Sequence, residues 1–126
     1  MKVIEDTVAE FGASLGLNDL QLRENGSVVL TLQSIGTLAI EVAGATQDAM
    51  IVSLSRTLPR PDDRDRRALL GVSHYRMRSS LPVQVGARGD QLILAVVLPL
   101  AEFTLLKINQ VIRELDRQHQ ALEASR

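Results

Sequence analysis

Ser27-Val28-Val29-Leu30-Thr31-Leu32-Gln33-Ser34-Ile35-Gly36-Thr37-Leu38-Ala39-Ile40-Glu41-Val42 decides the fold, because it alternates twice with a glycine between the two runs. Val28, Leu30 and Leu32 share one face of an extended chain, with Val29, Thr31 and Gln33 on the other. After a turn near Ile35-Gly36, Leu38, Ile40 and Val42 oppose Thr37, Ala39 and Glu41. A third run sets Met50, Val52 and Leu54 against Ile51, Ser53 and Ser55. Period two, repeated across short connections, predicts an antiparallel meander with one buried face.

Upstream, Glu24-Asn25-Gly26 is a hairpin signal, and the alternation of Leu20 and Leu22 allows a further short strand over residues 20–23. Before it, Ile4, Thr7, Val8, Phe11 and Leu15 recur at helical spacing with Glu5, Asp6 and Glu10 off the stripe. A helix over residues 2–15, ended by Gly16, is expected. Downstream, Pro59 and Pro61 stop the meander, because neither can donate to a strand ladder. Asp62 or Asp63 then caps a middle helix through Ala68, Leu69, Leu70 and Val72, reaching toward Arg78.

Val83 and Val85 mark the next strand, Arg88-Gly89-Asp90 turns it, and residues 92–97 form a strand apolar on both faces, as a central one would be. Pro99 suits the first turn of a long terminal helix carrying Leu100, Phe103, Val111, Ile112, Leu115 and Leu122. The order α-β-β-β-α-β-β-α predicts an α+β fold, a twisted antiparallel sheet with helices packed on it. Its 126 residues suit one domain over the whole chain, 1–126.

Composition excludes several chemistries. The chain has no cysteine, so disulfides, thiolate metal sites and a cysteine nucleophile are ruled out. Phe11, Tyr75 and Phe103 are its only aromatic residues, which leaves little for stacking bases or sugars. No stretch approaches the roughly 20 apolar residues of a membrane span, so no membrane partner and a cytoplasmic location are expected. Charge is uneven: residues 1–55 carry net −5, residues 56–78 carry +4 through seven arginines, and the rest balances. Asp62, Asp63 and Asp65 interleave that basic island, which argues for a self-paired solvated surface rather than a nucleic-acid partner.

No catalytic constellation stands out. His74 and His119 fall on different expected helices, with only Asp116 three residues before His119, and both read as surface residues. Zinc would need three or four convergent ligands. Asp62 and Asp63 read as a helix cap, the glycines form no phosphate loop, and Arg88-Gly89-Asp90 is a turn rather than an adhesion motif. No enzyme activity and no cofactor are expected. What remains is apolar surface: with helices on the face of Val28, Leu38 and Ile40, the opposite face still carries Val29, Ile51, Ile93, Ala95 and Val97. A patch of that kind calls for a second copy or a bound polypeptide.

The stretch Phe11-Gly12-Ala13-Ser14-Leu15-Gly16-Leu17, then Leu20-Gln21-Leu22, Glu24-Asn25-Gly26 and the strand from Ser27, resembles the opening of the type III secretion effector chaperones, the Tir-chaperone family of class I. Gln91-Leu92-Ile93-Leu94 and Leu98-Pro99-Leu100-Ala101-Glu102-Phe103 resemble that family's close. The resemblance implies a non-enzymatic homodimer that keeps the extended N-terminal segment of a secreted effector competent for export. It implies a dimer interface at Leu69, Leu70, Val72, Tyr75, Met77, Leu81, Val83 and Val85, and effector contacts at Ile4, Val8, Phe11, Leu20, Leu22 and Leu30. This chain departs from its acidic relatives in its near-neutral net charge of −1 and its Arg-rich middle. The rival reading is a small structural or regulatory subunit that docks a folded partner through its sheet.

Overall fold

The computed structural model describes residues 2–18, 20–33, 35–43, 48–57 and 83–124. The elements are α1 (Lys2–Ser14), β1 (Ser27–Leu32), β2 (Gly36–Ala43), β3 (Ala49–Thr57), β4 (Val83–Arg88), β5 (Gln91–Pro99), a 3-10 turn (Leu100–Glu102) and α2 (Leu105–Ala124). The expected middle helix lies outside the described residues. The strands form one sheet in the order β1-β2-β3-β5-β4, with every neighbouring pair antiparallel. The fold is the α+β arrangement that the alternation predicts, and β5 is an interior strand, paired with β3 on one side and β4 on the other.

Register explains why one face is buried. Val28, Ile40, Val52, Val96 and Val83 stand opposite one another in turn, a valine-isoleucine row across all five strands with every member buried. Leu30, Leu38, Leu54, Leu94 and Val85 form the adjacent row. Ile4, Val8 and Phe11 of α1 and Ile108, Val111, Leu115 and Leu122 of α2 close over these rows in a single core, and α2 lies along β3 and β5. Each such side chain taken fully out of water contributes roughly 1.5–3 kcal/mol before ordering costs. A one-residue slip would turn a whole row to solvent, so the register is strongly specified.

The ends of the elements follow local chemistry. Helix α1 closes with Leu17 N–H donating to Gly12 O (2.8 Å) and Gly16 N–H to Ala13 O (3.0 Å), a Schellman cap with Gly16 at φ 81°. Gly36 opens β2 at φ 136°, and a Cβ there would collide with the Ser55 carbonyl oxygen across the sheet. No other residue type fits that turn without moving β3.

Three local expectations need correction. Residues 20–23 form no strand: Leu20 and Leu22 are half-buried against the core, and no described strand pairs with them. Pro99 does not begin the terminal helix. It ends β5 opposite Ala49, Leu100 N–H donates to Asp48 O at 2.9 Å, and the 3-10 turn delays the helix to Leu105 while burying Phe103. His119 is not a surface residue. It is wholly buried on the inner side of α2, and its Nε2 lies 2.7 Å from the Leu54 carbonyl oxygen.

Candidate binding surface

The cluster around His119 fixes α2 to the sheet. A ring nitrogen facing a carbonyl must carry the proton, so His119 Nε2 donates to Leu54 and the buried Nδ1, which has no hydrogen-bond partner among the described residues, is the unprotonated nitrogen. Burial holds the imidazole below its ordinary pKa, and the nearby Arg56 pushes the same way against the Leu54 bond and the carboxylates of Glu123 and Asp116. Arg56 itself donates to Ile35 O and pairs with Asp116, with Glu123 at 3.3 Å. The one arginine of the basic island among the described residues is thus a structural tie between the β1–β2 turn, β3 and α2.

That scaffold presents three open features. The first is the outer sheet face, away from both described helices. Val29 stands beside Ala39, which faces Ser53 and then Ala95, and Ile51 faces Val97. Val29 is 43% and Val97 39% exposed, and Ile51, Ile93 and Ala95 are half-buried, so the apolar face expected from the sequence is open among the described elements. The second is the pair of sheet edges, β1 and β4. On its outer side each edge strand has ladder groups that no described strand pairs, the kind of edge an added strand can join.

The third is a groove of about 390 Å³ between α1 and the chain that follows it. Glu5, Asp6 and Ala9 form its helical wall, and Asn18, Leu20, Gln21 and Leu22 form the other. Gly12 sets its shape, because a Cβ at that position would stand 2.6 Å from Leu20 Cβ. The bare helix backbone lets the chain turn back at Gly16 and lie against α1. Leu20 and Leu22 remain half-exposed at the floor while Glu5 and Asp6 stand in solvent at the rim.

The residues singled out from the sequence separate accordingly. Leu20 and Leu22 line the groove, and Leu30 is half-buried on edge strand β1. Ile4, Val8 and Phe11 are the inner stripe of α1, at most 1% exposed, and hold the groove's wall in place from behind. Leu69, Leu70, Val72, Tyr75, Met77 and Leu81 lie outside the described residues. Val83 is buried and Val85 half-buried on edge strand β4. Glu5, Asp6, Ala9, Asn18 and Gln21 were missed as groove residues. Their signal was their place off the apolar stripe, which marks a surface but not a groove. Among the described residues no set of three or more His, Asp or Glu side chains converges to hold a metal, and no helix is long and apolar enough to cross a membrane.

Comparison with known proteins is consistent with this architecture. No curated protein shows significant similarity to the chain. Among solved structures, it is similar to the Yersinia pestis type III secretion chaperone SycH in complex with a stable fragment of YscM2, at 15% identity and TM-score 0.72 over 94% of this chain and 98% of that one. It is also similar to a chain of the ExsC–ExsE complex, at 17% identity and TM-score 0.71, with 92% of each chain covered. A chain of the ExoU–SpcU complex from the type III secretion system of Pseudomonas aeruginosa matches at 19% identity and TM-score 0.62, over 94% of this chain and 93% of that one. At these identities the likeness establishes the fold. Residues 3–123, nearly the whole chain, match the family described as the type III secretory system chaperone SycN, and the chain belongs to that family of secretion chaperones.

Proposed function

We propose that this chain acts in the bacterial cytoplasm as a homodimeric, non-enzymatic chaperone that holds the N-terminal segment of a secreted effector in extended form until export. The observation that carries the reading is the open apolar sheet face of Val29, Ile51 and Val97 on a chain of this family. An extended client supplies what that surface lacks: main-chain groups for a free sheet edge, and alternate side chains for the apolar face and the groove. The SycH structure, in which a chaperone is bound to a fragment of YscM2, supports a client of this kind. Ordering such a segment costs several kcal/mol, so the contact must be long and wrapped rather than a single pocket.

The dimer contact assigned to this chain runs along β4, with Val83 and Val85, and the segment that precedes it. This leaves β1, the groove and the outer face for the client. Family membership favours the chaperone over a subunit that docks a folded partner. The test is co-expression with an effector's N-terminal segment. The wild-type chain should co-purify with the segment, and Val29→Asp with Val97→Asp should release it while leaving the fold intact. Failure of the wild-type chain to retain any effector segment would overturn the proposal.

A further inference from the structure

We infer that the groove between α1 and residues 17–22 selects a client stretch in which a lysine or arginine side chain neighbours an apolar one. This rests on the chaperone reading and adds to it the chemistry of one subsite. Leu20 and Leu22 are the least exposed of the lining residues, and the helical wall carries Glu5 and Asp6 beside Ala9. Neither carboxylate has an ion-pair partner among the described side chains, and both are exposed. At about 390 Å³ the groove sits at the small end of ligand sites, room for a short run of side chains and too little for a folded domain.

Charge complementarity identifies the occupant. Within α1, residues 2–14 carry Glu5, Asp6 and Glu10 against Lys2, and the two carboxylates that line the groove favour a cationic chain over an acidic one. Glu5 and Asp6 both line the groove, so a bound ammonium or guanidinium meets carboxylates there. The opposite wall offers the side-chain amides of Asn18 and Gln21, which can both donate to and accept from the main chain of an extended peptide. The apolar neighbour of the cationic residue rests on Leu20 and Leu22, and the alkyl stem of the lysine or arginine covers Ala9.

The inference is tested with the full chain and two short labelled peptides that share a Leu-Ser-Leu core and differ only in lysine or glutamate flanks. Exposed charge pairs are worth a modest amount, so the lysine peptide is expected to bind about three- to tenfold more tightly. That preference should vanish when salt is raised from about 0.01 M to about 1 M, as the screening length falls from about 30 Å to about 3 Å. Glu5→Gln with Asp6→Asn should equalise the two peptides, and Ala9→Trp, which fills the groove from an exposed position, should weaken both. Equal binding of the two peptides by the wild-type chain, a lysine preference that survives in the double variant, or no saturable binding of either would overturn the inference. Co-purification with an effector segment separates this from the broader reading: wild type that retains the segment while showing none of these preferences loses the groove assignment alone.

Discussion

Acidification is expected to loosen the seat of α2 on the sheet through one residue, His119. In the folded chain its ring is wholly buried, donates through Nε2 to Leu54 and has no acceptor among the described residues for a second proton at Nδ1. Protonation would place a cation in the core beside Arg56, which is why the folded pKa lies below the ordinary value of about 6.5. The unfolded chain binds that proton at the ordinary value. Above about pH 6.5 both states are neutral and no stability is lost. As pH falls below 6.5 the unfolded state takes up a proton that the folded state refuses, and unfolding becomes easier until the depressed folded pKa is reached. One proton sets the limit: about 1.4 kcal/mol of stability lost per pH unit within that window. The assay is urea unfolding at about pH 7.5, 6.5 and 5.5 for wild type and His119→Gln. Glutamine keeps an N–H for Leu54 and cannot titrate, so whatever its baseline stability its pH slope below 6.5 should be shallower by up to that amount. His74 is present in both proteins and cancels in the difference. Parallel pH slopes, or a wild type that gains stability relative to the variant on acidification, would refute the reasoning.

Gly36→Ala should cost about 2–4 kcal/mol by urea denaturation, since it adds a Cβ against the Ser55 carbonyl at a φ that L residues disfavour. Gly12→Ala sets an overpacking cost against a gain in helix propensity, for a net loss of about 1 kcal/mol, yet it displaces Leu20 from the groove floor. Its larger effect should appear in client affinity, measured by titration with an effector segment. Phe11→Asp should abolish folding as read by circular dichroism, because it loses about 3–5 kcal/mol of core packing and buries a carboxylate in a chain whose total stability is about 5–15 kcal/mol. Val29→Asp, at a 43% exposed position, should leave stability within about 0.5 kcal/mol.

The sheet was legible in the sequence because its inner and outer faces differ at nearly every position from Val28 to Leu54, and a period of two has one structural meaning at that length. The outer apolar face was legible for the same reason: Val29, Ile51, Ile93, Ala95 and Val97 are the alternate set. What escaped was decided by partners distant in the chain. Leu20 and Leu22 carry the alternation of a strand, but Gly12 lets Leu20 lie against the helix and no described strand pairs with them. Pro99 is compatible with a helix start, yet its neighbour across the sheet, Ala49, keeps it in the ladder.

His119 was misread as exposed although it continues the α2 stripe of Ile108, Val111 and Leu115 toward Leu122. The spacing contained the answer, but the carbonyl that makes its burial tolerable belongs to Leu54, 65 residues earlier. The groove was the least legible feature. Leu20 and Leu22 were recognised, whereas Glu5, Asp6 and Ala9 become a wall only once Gly12 lets the returning chain approach.

The central claim, a dimer holding an extended client, is tested most directly by light scattering of the chain purified with an effector's N-terminal segment. The expected mass is that of two chains plus the segment. A mass of one chain, with the segment eluting separately, would contradict it.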